Sequence, residues 1–73
     1  MDRREEVLRK FGQRLTYLRE KQNFTISELA ARSGLDPGLI GEIEAGRVDP
    51  EISMIVALAR GLGVAGGELV DGL

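Results

Sequence analysis

The stretch TISELAARSGLDPGLIGEIEAG, residues 25 to 46, decides the fold, because it contains two helix starts separated by a single sharp turn. At the first start, Thr25 and Glu28 have the spacing of a capping box, in which the hydroxyl accepts from the third helical amide and the carboxylate reaches back. Phe24 before the cap and Leu29 four residues after it have the spacing of a hydrophobic staple. A helix over 26–33 follows, and Gly34 supplies the positive φ that stops it. At the second start, Leu35 precedes Asp36 as N-cap, and Pro37 takes the first helical position, where its missing N–H costs nothing. Ile40 then completes a second staple with Leu35. The resulting helix is expected over 37–45 and ends at Gly46. Leu29, Ala30, Leu35, Ile40 and Ile43 form the inner side of this pair.

Working upstream, Val7, Phe11, Leu15 and Leu18 recur at spacings of four, four and three, the stripe of one amphipathic helix over about 3–22. Asp2, three residues before Glu5, suits its start, and Asn23 suits the left-handed conformation that closes helices. Downstream, Arg47-Val48-Asp49-Pro50 reads as a loop. Ile52, Ile55, Val56, Leu58, Ala59 and Leu62 then give a fourth helix over about 51–62. In the tail, Gly66 and Gly67 each cost about 1 kcal/mol relative to alanine inside a helix, so a fifth helix over about 66–71 depends on packing Leu69 and Val70. The reading is an all-α single domain spanning residues 1–73.

Composition narrows the function classes. A chain of 73 residues buries only about 60% of its unfolded surface, which leaves one small core to build. Only Phe11, Tyr17 and Phe24 are aromatic, so that core comes from aliphatic side chains on helices. With neither cysteine nor histidine, disulfides, the usual zinc ligand sets and the commonest general base are absent. No metal, no cofactor and no enzymatic activity are expected. The charged start and the lack of an apolar run of about 18 residues point away from a leader or a membrane anchor and toward the cytoplasm. The formal net charge of -2 conceals an asymmetry: residues 1–32 carry 8 basic and 5 acidic side chains, residues 33–73 carry 2 and 7.

The helix pair of residues 25–46 resembles the helix-turn-helix of the Cro and phage-repressor (XRE) family. FGQRLTYLREKQNFT is similar to that family's first helix and turn, and DPEISMIVALARGLGVAGGEL to its last two helices. The resemblance implies a five-helix, lambda-repressor-like DNA-binding domain that binds double-stranded DNA through the major groove as a homodimer. It also implies an ion pair between Arg19 of the first helix and Glu44 near the end of the third.

Carried over residue by residue, the family's DNA-contacting positions fall on Ile26, Pro37, Gly38, Gly41, Glu42 and Arg47, and the helix starts add Thr25, Ser27 and Asp36 as further candidates for DNA contact. Here the chain departs from the family pattern. Ile26 stands where glutamine often reaches a phosphate, and Pro37, Gly38 and Gly41 bring no donor or acceptor to base edges. Glu42 is able to accept from a cytosine amino group, while Asp36 serves first as a helix cap. Phosphate contacts remain available at the amides of Ile26 and Ser27, with the hydroxyls of Thr25 and Ser27, and at Arg47. Arg14, Lys21 and Arg32 are possible assistants or ordinary solvated side chains. Dimer contacts are expected from Ile52, Ile55, Leu69, Val70 and Leu73. The competing reading is a protein-interaction module, with Ile26, Pro37, Gly38, Leu39 and Gly41 forming a weakly polar docking face on a retained scaffold.

Overall fold

The computed structural model describes residues 2–73 and contains α1 (Arg3–Lys21), α2 (Ile26–Ser33), α3 (Pro37–Glu44), α4 (Ile52–Leu62) and α5 (Gly66–Leu69). No strand occurs among the described residues. α1 and α3 each end one residue short of the expected boundary, α4 begins one residue late, and α5 ends at Leu69 rather than near residue 71.

Each of the first three helices begins on a side-chain cap. Asp2 accepts from the Glu5 N–H at 2.8 Å and Asp36 from the Leu39 N–H at 3.1 Å. In the capping box of α2, Thr25 Oγ1 accepts from the Glu28 N–H at 3.0 Å and Glu28 Oε1 from the Thr25 N–H at 2.9 Å. Asn23, at φ 60°, closes α1, and the Phe24 N–H donates to the Arg19 carbonyl. Gly34, at φ 75°, turns the chain from α2 toward α3, its N–H donating to the Ala30 carbonyl at 2.8 Å. That conformation is open to glycine at little steric cost.

α1 packs on α3 and α5, α2 packs on α3 and α4, and α5 closes the space between α4 and α1. Phe11, Leu15 and Leu18 of α1 meet Leu29, Ala30, Ile40, Ile43, Leu58, Ala59, Leu62 and Leu69 in one core. Two expectations need correction. Val7 is 36% exposed, and Leu8 takes its place in the buried stripe. The chain after α3 covers the Leu8 side of α1: a Cβ built on Gly46 would lie 3.3 Å from the Arg9 Cα and 3.5 Å from the Leu8 carbonyl carbon. Leu69, expected at a dimer interface, is fully buried within its own chain. It anchors a helix too short to hold itself, and so has no surface left to offer a partner.

Three polar side chains fasten the C-terminal ends of helices, where backbone carbonyls lack intrahelical partners. Arg32 Nε donates to the Gly61 carbonyl at 2.7 Å and Gln22 Nε2 to the Leu62 carbonyl at 2.6 Å, both at the end of α4. Arg14 Nε donates to the Glu68 carbonyl at 2.7 Å, tying α5 to α1. The Arg32 guanidinium also stacks 4.6 Å from the centre of the Phe24 ring.

Candidate nucleic-acid interface

Arg19 organises the helix pair from behind. Its Nε donates to Glu44 Oε2 at 2.7 Å and its Nη2 to Glu44 Oε1 at 3.1 Å, a bidentate fork that suits the planar guanidinium. Its Nη1 donates to the Phe24 carbonyl at 2.8 Å. One side chain therefore ties the end of α3 to the residue before the α2 cap. The two side chains retain 12% and 9% of their exposure. The Glu44 hydrogen bond, assisted by the charges of Glu44 and Glu20, raises the guanidinium above its ordinary pKa against the lowering effect of burial.

The close approach of α1 to α3 depends on Gly12, which the sequence reading passed over. A Cβ there would meet the Glu44 carbonyl oxygen and lie 2.7 Å from that of Ile43. A glycine inside a strongly periodic helix, next to the buried Phe11, was the available signal.

The expected contact residues occupy three local sites. Thr25 and Ser27 are exposed at the start of α2, whereas Ile26 is half-buried and packs against the core. The capping bond uses the Thr25 oxygen as acceptor and leaves its O–H free to donate. Asp36, Pro37 and Gly38 are exposed at the start of α3, with one Asp36 oxygen occupied by the Leu39 N–H. At the far end of α3, Glu42 Oε2 lies 3.5 Å from Arg47 Nη1, an exposed ion pair. A Cβ on Gly41 would meet nothing within 4 Å, so this helix presents open space there.

The proposed assistants have internal partners. Arg14 and Arg32 hold carbonyls, and the Lys21 Nζ lies 5.9 Å from the centre of the exposed Tyr17 ring. The docking face of the competing reading is also diminished, because Ile26 and Leu39 both pack against the core.

Away from the helix pair, the structure brings together Ile55, Val70 and Leu73 with Val7 and Phe11 around an apolar groove of about 100 Å³. Ile52 and Val56 remain 79% and 43% exposed on α4, and Val70 and Leu73 are 43% and 44% exposed. Val56 and Val7 were not among the expected interface residues. Among the described residues there is no group of side chains suited to hold a metal ion, and no helix is long and apolar enough to cross a membrane.

A helix-turn-helix domain family model matches residues 10–73. The HTH-type transcriptional regulator y4dJ of Sinorhizobium fredii is 36% identical over 59 residues, spanning 81% of this chain and 77% of that protein. Among solved structures, the restriction-modification controller protein C.AhdI from Aeromonas hydrophila is similar with a TM-score of 0.84 and 39% identity, over 85% of this chain and 94% of that one. The clp gene regulator ClgR from C. glutamicum is similar with a TM-score of 0.82 and 25% identity, over 88% and 83% of the two chains.

Proposed function

The chain belongs to the helix-turn-helix domain family and is a DNA-binding transcriptional regulator; from that premise we propose that it binds as a symmetric homodimer with sparse direct base readout. One observation carries this mode of binding. Ile40 and Ile43 bury the inner side of α3 completely or nearly so, while Pro37, Gly38 and Glu42 stay exposed on its outer side. The second helix of such a pair enters the major groove, and two copies reach half-sites about 34 Å apart.

Positioning comes from the phosphate backbone. The first amides of α2, at Ile26 and Ser27, precede the first residue able to bond within the helix, and they point along its positive dipole end. The Thr25 O–H and the Ser27 hydroxyl add donors beside them, and the Arg47 guanidinium adds a separate donor beyond the far end of α3. Specificity is limited, because Pro37, Gly38 and Gly41 offer no base-edge hydrogen bonds. Dimer contacts are assigned to Ile52, Ile55, Val70 and Leu73, now with Val56 and without Leu69. The small core makes such an association valuable for stability.

Fluorescence anisotropy with mixed-sequence duplex, titrated with salt, tests the reading. Binding is expected at low salt and should weaken with a slope of roughly 2 to 4 phosphates, since few cations are free to meet the backbone. Absence of binding at low salt overturns it.

A further inference from the structure

Of the residues in α3, only Glu42 and Glu44 are ionisable, and Glu44 is turned inward onto Arg19. Glu42 is therefore the single charged side chain that this helix presents outward. Pro37, Gly38, Leu39 and Gly41 carry no side-chain polar atoms. A bare carboxylate facing two rows of phosphates would oppose binding at any sequence.

The structure supplies its counter-charge. Arg47 Nη1 lies 3.5 Å from Glu42 Oε2. The backbone prepares the meeting: Gly46, at φ 76°, returns the chain so that its own N–H donates to the Ile43 carbonyl and the Arg47 N–H to the Glu42 carbonyl, each at 3.0 Å. The Arg47 and Glu42 side chains are 70% and 49% exposed, so in water the pair adds little to stability. Once a nucleic acid displaces that water, the local dielectric falls and the pairing strengthens.

We propose that Glu42 and Arg47 act as one base-reading unit, with Arg47 bridging Glu42 to a phosphate and Glu42 selecting cytosine. An ionised carboxylate only accepts hydrogen bonds. In the major groove, guanine N7 and O6 and thymine O4 are acceptors and repel it, whereas the cytosine N4 amino group donates. Adenine offers its N6 donor beside the N7 acceptor and fits less well. The inference rests on the DNA-binding reading above and names the specificity of the same site.

The test is selection from a random duplex library at low salt, with the wild-type protein and the Glu42→Ala, Glu42→Gln and Arg47→Ala variants, followed by anisotropy on the enriched duplex. The wild type should enrich cytosine at one position in each half-site. Replacing that cytosine by pyrimidin-2-one, which lacks the 4-amino group, should weaken wild-type binding roughly fivefold or more and leave Glu42→Ala indifferent. Glu42→Gln should shift the preference toward adenine, whose N6 and N7 match an amide. Arg47→Ala should cost about twofold or more in excess when Glu42 is present than in the Glu42→Ala background, because it strands the carboxylate.

An unchanged base profile in Glu42→Ala overturns the proposal, as does uniformly tighter binding of that variant to every duplex, which would make Glu42 a repulsive charge only. Additive effects of the two substitutions also overturn it. Failure of the wild type to bind any duplex at low salt defeats the DNA-binding reading itself, and this one with it. Circular dichroism should show every variant folded, since both side chains are exposed.

Discussion

Arg19 fastens the helix pair from within the chain, tying the end of α3 to the residue before the α2 cap. It is held by two bonds to Glu44 and one to the Phe24 carbonyl. Arg19→Met should destabilise the domain by about 3 to 5 kcal/mol in urea unfolding, because it leaves the carboxylate of Glu44 mostly buried and unpaired. An unchanged midpoint would show that Glu44 finds another partner. The raised guanidinium pKa contributes stability that is fully present below the ordinary arginine value and is lost only as the pH rises through the raised one. Stability measured from pH 7 to 10 should therefore show no loss traceable to Arg19.

Two glycines separate packing from propensity at the same scale. Gly12→Ala would drive a methyl into the carbonyls of Ile43 and Glu44 and should cost about 1 to 3 kcal/mol. Gly41→Ala meets open space and should raise stability by up to about 1 kcal/mol, so thermal scans of the two variants should move in opposite directions.

At the scale of the element, α5 is the dependent part. It has four residues, no side-chain cap and two glycines, so it forms only because Leu69 is buried and Arg14 holds the Glu68 carbonyl. Arg14→Ala should speed amide hydrogen exchange in residues 66–73 while α1 to α3 stay protected. Equal protection in the variant would mean that Leu69 alone suffices. α2 and α3 are the opposite case, since each carries its own start signal and a glycine beyond its end. Their capping bonds are local, between residues three apart, and need no tertiary contact to form.

For the whole molecule, the charge asymmetry and the apolar surface decide how the domain works. Residues 33–73 carry a balance of -5, and the α3 region within them depends on Arg47 for relief. Such a surface is expected to bind DNA weakly as one copy, and the proposed pairing of two copies would multiply the contact by effective concentration. Ile52→Glu places a charge on the most exposed large apolar residue and leaves the core untouched. Light scattering should then report a monomer, and duplex affinity should fall about tenfold or more. A dimer of unchanged mass would remove α4 from the interface.

The helix pair was legible in the sequence because caps, staples and terminators act between residues three to five apart, within reach of a one-dimensional reading. Thr25 with Glu28, Asp36 with Leu39, and the left-handed Asn23, Gly34 and Gly46 are all of this local kind. The Arg19–Glu44 pair spans 25 residues and was reached only through the family resemblance. What escaped were choices between nearly equal local options. Val7 and Leu8 flank the α1 stripe at about 40° and 60° on either side of Phe11, so helical periodicity does not choose between them. The chain passing over Leu8 after α3 does. The sequence likewise leaves Leu69 free to face a partner or its own core, and the gap between α4 and α1 decides. Local hydrogen bonding thus determined where the helices begin and end, and only tertiary packing decided which apolar side chains the core consumed and which remain for another molecule.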